Sequence, residues 1–407
     1  MEYQSTANSG HLAGVDVLRG LSIIAVVLLH ISIFAHRDHI DVGAGLPLWL
    51  HYLVFWNGDN GVSVFFVVSG FLITLISIRR FGSLDGIRIR RFYRIRFARI
   101  APPLLLLLVI LSALHLAGVH YFRIRPQVTD LFGALFSALT FNLNWLEAVR
   151  GWLPPCWTVL WSLSVEEVFY LAFPVVCVLL WPRRFGRIGF FALLFGLIVV
   201  APFARTEAAA NLIWRDQSYF ANFDGIAVGC LCALLTEWCL RRHVLQHSYW
   251  PLVAQSAGVL LMLFIAVWPW PAVIAGWHVK RALAHGGTDV TLLIVGTALV
   301  IWGSVLRGAG GTAWLGPLRW FGRHSYEIYL THEFFVIAFL TVLPRGPVLV
   351  WIVAVLAASS GTGALLAKLF SDPMNRALRG GTAPVSALLA IAAPDALPLT
   401  DAAQTDS

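Results

Sequence analysis

Apolar residues continue for about twenty positions at a time along nearly the whole chain, and polar and basic residues collect between these runs. Ten such segments stand out, at 16–35, 61–78, 101–118, 162–181, 188–204, 222–240, 250–267, 289–306, 325–343 and 347–370. A run of ~18 or more apolar residues is long enough to span the hydrocarbon core of a bilayer as a helix. The pattern therefore predicts an all-α polytopic membrane protein with about ten transmembrane helices. The stretch 127–150 is apolar but broken by Asn142, Asn144 and Glu147, and it reads as an interfacial or re-entrant piece. Residues 1–15 hold no Lys or Arg and no small-residue cleavage site before the first run. That run is read as a retained membrane helix and not as a signal peptide.

Composition agrees with the pattern. Of the 407 residues, 58% are hydrophobic and 12% charged, against about 25% charged in a soluble domain. The basic residues set an orientation. Nineteen of the 29 Lys and Arg fall in loops on one side, eight of them between 79 and 99, and nine fall on the other. The richer side is expected to be cytosolic, which puts both termini in the cytosol and the protein in the inner (plasma) membrane. This bias accounts for the net charge of +8 and leaves a nucleic-acid partner nothing to explain. The expected division is a cytosolic N-terminal segment (1–15), a transmembrane domain (16–370) and a largely disordered cytosolic tail (371–407). Four of the five Cys lie inside apolar runs and Cys156 has no partner outside them, so no disulfide is expected.

Ionisable side chains inside spans are costly and mark candidate sites. In "DVLRGLSIIAVVLLH", Arg19 and His30 are eleven residues apart. They share one helix face, separated by roughly 16 Å along the axis. Asp16 lies one turn before Arg19, at a salt-bridge spacing. In "RFARIAPP", Arg96 and Arg99 share a helix face at the start of the third span, a pair suited to bidentate phosphate binding. In "WSLSVEEVFYL", Glu166 and Glu167 sit within a span, and counting residues from the helix ends puts Glu166 at about the depth of His30. A carboxylate beside an imidazole fixes its tautomer and raises its basicity. "SYEIYLTHEFF" brings His332 into mid-span, with Tyr326, Tyr329 and Glu333 as polar neighbours. Ser69-Gly70, in "GVSVFFVVSGFLIT", reads equally as a polar site or as a close helix contact. "HRDH" at 36–39 matches no common zinc spacing, and no metal is expected.

Taken together, these segments resemble the membrane-bound acyltransferase-3 family of bacterial glycan O-acetyltransferases. "DVLRGLSIIAVVLLH" is similar to the family's opening motif, with Arg19 and His30 at its Arg-x10-His spacing. "GVSVFFVVSGFLIT" is similar to its second-span motif, and "RFARIAPP" carries its Arg-x-x-Arg as Arg96 and Arg99. "WSLSVEEVFYL" is similar to its Trp-Ser-Leu-x-x-Glu signature, which selects Trp161, Ser162 and Glu166. "SYEIYLTH" resembles its penultimate-span motif, ending in His332. The chain departs at "ANFDGIAVG", where Asn222 stands in place of the usual arginine although Asp224 and Gly229 remain. It departs again at Asp372, where a glutamate before proline is common.

The resemblance implies transfer of an acyl group, most often acetyl, from acyl-CoA to a hydroxyl of an envelope glycan or glycolipid. On that reading Arg19, Arg96 and Arg99 meet the phosphates of the donor at the cytosolic mouth. The pantetheine arm then lifts the thioester through one hydrophilic tunnel to His30. There His30, oriented by Glu166, deprotonates the acceptor, or is itself acylated. Tyr329, His332 and other polar groups of the ninth span bind the acceptor or the developing oxyanion. Two alternatives use the same residues. One is an acyltransferase with a small-molecule acceptor or a succinyl or longer acyl donor. The other is a transporter of a glycan precursor or an anion, although the chain lacks the paired halves many transporters show.

Overall fold

A computed structural model describes residues 12–37, 39–206, 209–245, 248–267, 286–308, 313–342 and 347–380. Most of the expected N-terminal segment, the tail from 381 onward and the basic residues Lys280, Arg281 and Arg345 lie outside the described residues. Ten long helices occur where the ten apolar runs are: α1 (Ala13–Arg37), α2 (Gly58–Phe81), α3 (Ile89–Leu116), α4 (Leu160–Leu180), α5 (Arg184–Ala204), α6 (Tyr219–Arg241), α7 (Trp250–Ala266), α8 (Asp289–Leu306), α9 (Ser325–Val342) and α10 (Val348–Leu366). Among the described residues there is no strand, and eight candidate spans are long and apolar enough to cross a membrane. The protein is a polytopic, all-α membrane protein.

The centre of the bundle is α1, α2, α6 and α9, and two close backbone contacts hold it together. Gly70 of α2 and Gly229 of α6 face each other's backbones, and a Cβ on either would overlap the carbonyl oxygen of Ile226 or Val67. The second-span glycine is thus a packing residue, while its neighbour Ser69 turns to a cavity. The short helix Gly316–Arg323 crosses α1 in the same way, with Gly20 against the Leu318 carbonyl and Gly322 against that of Asp16. Small residues let helices approach where lipid offers no hydrophobic drive to associate. All five Cys are buried as free thiols.

Two boundaries differ from expectation. α3 begins at Ile89, so the arginine run forms its first turns, and Pro102 and Pro103 are carried within the helix. After α10 the chain does not end its fold at 370. A π-helical turn, Ala367–Ser371, leads into the helix Asp372–Leu378, which packs on α3. The expected disordered tail therefore gives up its first residues to an ordered helix. Its partner is the arginine-bearing first part of α3, with Gly380 against the Arg94 guanidinium, and hydropathy alone does not register that docking.

The broken stretch 127–150 forms two short helices, Leu131–Leu139 and Leu143–Arg150, neither long enough to cross. Asp130 caps the first through the Gly133 amide at 2.7 Å. Glu147 of the second is fully buried. Its Oε1 accepts from the Leu153 amide (3.0 Å) and the Thr158 hydroxyl (2.6 Å), tying down the loop that carries Trp152 and Pro154. Its Oε2 has no hydrogen-bond partner. Burial pushes this carboxyl up to about 7.

Candidate active site

Two cavities enter the bundle from opposite ends. The larger, about 1240 Å³, lies at the end where α1 finishes, and His30, Arg37, Trp161 and Glu333 are on its wall. The smaller, about 660 Å³, lies at the end where α1 starts, and it contains Arg19, Ser69, Arg96, Arg99, Ser162 and Glu166. Val62 and Tyr329 border both. The single tunnel expected from the sequence is thus two chambers with a shared partition. The Tyr329 hydroxyl is fixed there by the Val159 carbonyl (2.9 Å) and the Ser162 hydroxyl (2.8 Å). Pro154 and Pro155 break the chain just before this point, so that α4 starts afresh at Leu160. That break puts Trp161 on the first chamber and Ser162 on the second.

His30 sits in a hydrogen-bonded chain. Its Nδ1 lies 2.8 Å from the Val26 carbonyl and its Nε2 lies 3.2 Å from Glu333 Oε1. His332 is fully buried behind it, with Nδ1 2.7 Å from the Tyr329 carbonyl and Nε2 3.4 Å from His30 Nδ1. A carbonyl oxygen only accepts, so both Nδ1 atoms carry protons. His332 Nε2 is then an acceptor facing the His30 Nδ1 proton, and one further proton is shared between His30 Nε2 and Glu333. The rings meet edge to face, with centroids 4.8 Å apart.

Glu333, not Glu166, is therefore the carboxylate beside His30. Counting residues paired Glu166 with His30, but Glu166 lines the other chamber. It lies 3.5 Å from the Tyr170 hydroxyl, which in turn contacts Ser69. The Arg96 guanidinium lies over the Tyr170 ring at 3.7 Å, a cation–π contact. Arg99 is over Tyr326 at 5.9 Å, and Arg19 donates to the Ser325 hydroxyl at 2.8 Å. The second chamber thus holds the three expected arginines together with Glu166, Ser69 and Ser162.

Three expected site residues line neither chamber. Asp16 lies beside Arg19, Arg319 and Arg323, whose charges act on it. His332 is fully buried and touches the lining of the larger chamber through His30 and the Tyr329 carbonyl. Asp224 is fully buried and paired with Arg205, which also reaches Thr291 (3.0 Å) and the Ala221 carbonyl (2.7 Å). Arg205 lines the first chamber. It delivers from a neighbouring helix a guanidinium to the wall where Asn222 stands. Asn222 itself is spent on the Asp216 and Ser218 carbonyls. Glu333 and Arg205 are the residues that sequence reasoning underused. The signal for Glu333 was its place next to His332, as a carboxylate inside an apolar span.

His30, His332 and Glu333 offer ligand atoms within 4.8 Å of one another, the metal-compatible group among the described residues. The donors do not converge, however. His332 Nε2 is aimed at the protonated Nδ1 of His30 and away from the His30 Nε2–Glu333 pair. The arrangement suits proton transfer along a chain better than metal ligation.

A family model described as an acyltransferase domain matches residues 12–367. Among curated relatives, the O-acetyltransferase OatA of Staphylococcus aureus is 24% identical over 85% of this chain and 54% of its own length. The peptidoglycan O-acetyltransferase OatA of Listeria monocytogenes is 24% identical over 79% of this chain and 49% of its own. The chain thus spans about half the length of these relatives. No solved structure matches it. With the family model covering nearly all of the helical bundle, including the His30 chain, the larger chamber and all of the smaller one but Asp372, Asn375 and Arg379, the protein belongs to the acyltransferase-3 family of membrane proteins.

Proposed function

We propose that the protein transfers an acetyl group from acetyl-CoA, bound in the arginine-rich chamber on the cytosolic side, to a hydroxyl of an envelope glycan or glycolipid in the opposite chamber. The observation that carries this reading is the position of the His30–Glu333 pair. It faces the larger chamber, which Val62 and Tyr329 divide from the chamber that holds Arg19, Arg96 and Arg99.

The donor is a polyanion made in the cytosol, and Arg19, Arg96 and Arg99 suit its phosphates. Its arm is directed toward the partition at Tyr329. On the other side the acceptor hydroxyl gives its proton to the His30–Glu333 pair as its oxygen attacks the thioester carbon. The new C–O bond forms, the C–S bond breaks, and the proton passes to the departing thiolate. His332 Nε2 accepts from His30 Nδ1 and holds the imidazole in the orientation in which its Nε2 meets Glu333. The Ser162 and Tyr329 hydroxyls are the polar donors nearest the partition and suit the developing oxyanion. Trp152 and Trp161 give the larger chamber flat apolar faces of the kind sugars stack on. The names of the relatives, O-acetyltransferases and in one case a peptidoglycan O-acetyltransferase, support the same reaction class.

The test uses the purified protein in lipid, labelled acetyl-CoA and envelope glycan from a strain lacking the gene. Wild-type protein is expected to move label to the glycan, and His30→Ala to bind acetyl-CoA but move none. Undiminished transfer by a folded His30→Ala variant refutes the reading.

A further inference from the structure

The helix Asp372–Leu378 presents Asp372, Asn375 and Arg379 to the smaller chamber, at i, i+3 and i+7, which is one helix face. Facing it are Arg80, in the last turn of α2, and Arg323, the last residue of the helix Gly316–Arg323. Three guanidinium groups from three separate element ends thus border one chamber. Arg91 and Arg379 are also close enough to Arg80 to act on its charge. With Arg19, Arg96 and Arg99 the chamber collects six arginines, against Glu166 and Asp372. A plain positive-inside anchor spreads its charge into solvent or headgroups. Here the charges turn inward on a common space, beside Phe81 and Phe92. Guanidinium groups that converge on one cavity suit an anionic ligand there.

The chamber is graded along its length. Arg19 lies roughly 16 Å from His30 along α1, a distance that the extended pantetheine arm covers. That assigns the diphosphate of CoA to the level of Arg19. Gly61 of α2 packs on Ser22 of α1, one turn from Arg19, and α2 runs on for nineteen residues to Arg80, roughly 28 Å along its axis, so Arg80 and the nearby Arg379 lie farther out than Arg19. The group of CoA that extends beyond the diphosphate is the adenosine with its ribose 3′-phosphate.

We propose that Arg80, Arg323 and Arg379 form a second anion subsite, which takes the ribose 3′-phosphate of the donor. The helix that follows α10 is then a wall of the donor site. This rests on the proposed acyl-CoA donor, and a lipid phosphate at the membrane surface carries the same chemistry. The experiment compares CoA with 3′-dephospho-CoA by isothermal titration to the full chain in a neutral detergent, and repeats it with added phosphatidylglycerol.

Wild-type protein is expected to prefer CoA by at least about tenfold, the worth of one charge-assisted contact set. Arg379→Gln, with Arg323→Gln as a second variant should the first not fold, is expected to bring that ratio close to one. Its affinity for dephospho-CoA should be unchanged. Equal weakening of both ligands by the variants, or no preference in the wild type, overturns the subsite. So does loss of the CoA preference on adding phosphatidylglycerol, which would give these arginines to lipid. Failure of the folded wild type to bind either ligand overturns the acyl-CoA reading itself, and with it the subsite.

Discussion

Glu147 makes the sharpest energetic prediction. Its carboxyl is completely enclosed, with one oxygen bonded twice and the other not at all. Burial lifts its pKa from 4.5 to about 7 in the folded protein. In the unfolded chain it titrates near the ordinary value. The folded state therefore holds its proton more tightly, and the stabilisation this gives is complete below about pH 4.5 and lost as pH rises through 7. At about 1.4 kcal/mol per pH unit, the loss comes to about 3 kcal/mol. Glu147→Gln keeps the acceptor at Oε1 and cannot ionise. Its stability relative to wild type should thus improve by about 3 kcal/mol between pH 4.5 and pH 8. Denaturation in detergent micelles, followed by tryptophan fluorescence across that range, reads the difference directly. Groups common to both proteins cancel in the comparison. Parallel pH curves for the two proteins would refute the account.

Three further outcomes are expected. Glu333→Gln removes the proton acceptor paired with His30 and should lower the turnover of acyl transfer by ~10²–10⁴-fold while leaving acetyl-CoA affinity in place; a change in affinity alone would contradict the assigned role. Tyr329→Ala should join the chambers and raise CoA release in the absence of acceptor, whereas Tyr329→Phe, which loses two neutral hydrogen bonds worth about 1 kcal/mol each, should do so less; unaltered acceptor-free release from both would show that Tyr329 is no partition. Gly229→Val should cost at least about 1–3 kcal/mol through overpacking against Val67 of α2, measured as a fall in melting temperature, while the exposed Gly361, which has open space around it, should accept alanine without loss.

The ten long helices were legible because an apolar run of spanning length has few other structures open to it. The helix limits, Leu160–Leu180 against an expected 162–181 for example, agree closely. The failures share a cause. Hydropathy reports whether a residue tolerates lipid and not whether a helix continues, so the arginine-rich turns of α3 and the docked helix after α10 escaped it. The expected site residues are divided between two chambers, and the expected carboxylate pairing differs. Arg19, Arg96 and Arg99 do share a chamber. Depth along a span follows from counting, but rotation about the helix axis does not. Glu166 and His30 line different chambers, while Glu333, one residue along from a recognised histidine, closes the pair.

Two basins that open at opposite ends, with Val62 and Tyr329 between them, also define an electrical geometry. Where solvent enters from both ends, the membrane voltage falls mainly across the layer at Tyr329. A unit charge moved through the full potential exchanges about 2.3 kcal/mol per 100 mV. In the proposed reaction the acetyl group crosses that layer in exchange for the proton of the acceptor hydroxyl, which moves no net charge, while the phosphates of the donor stay behind. On the proposed reaction, the cell exports a modification without leaking ions and without its chemistry depending on how strongly the membrane is energised.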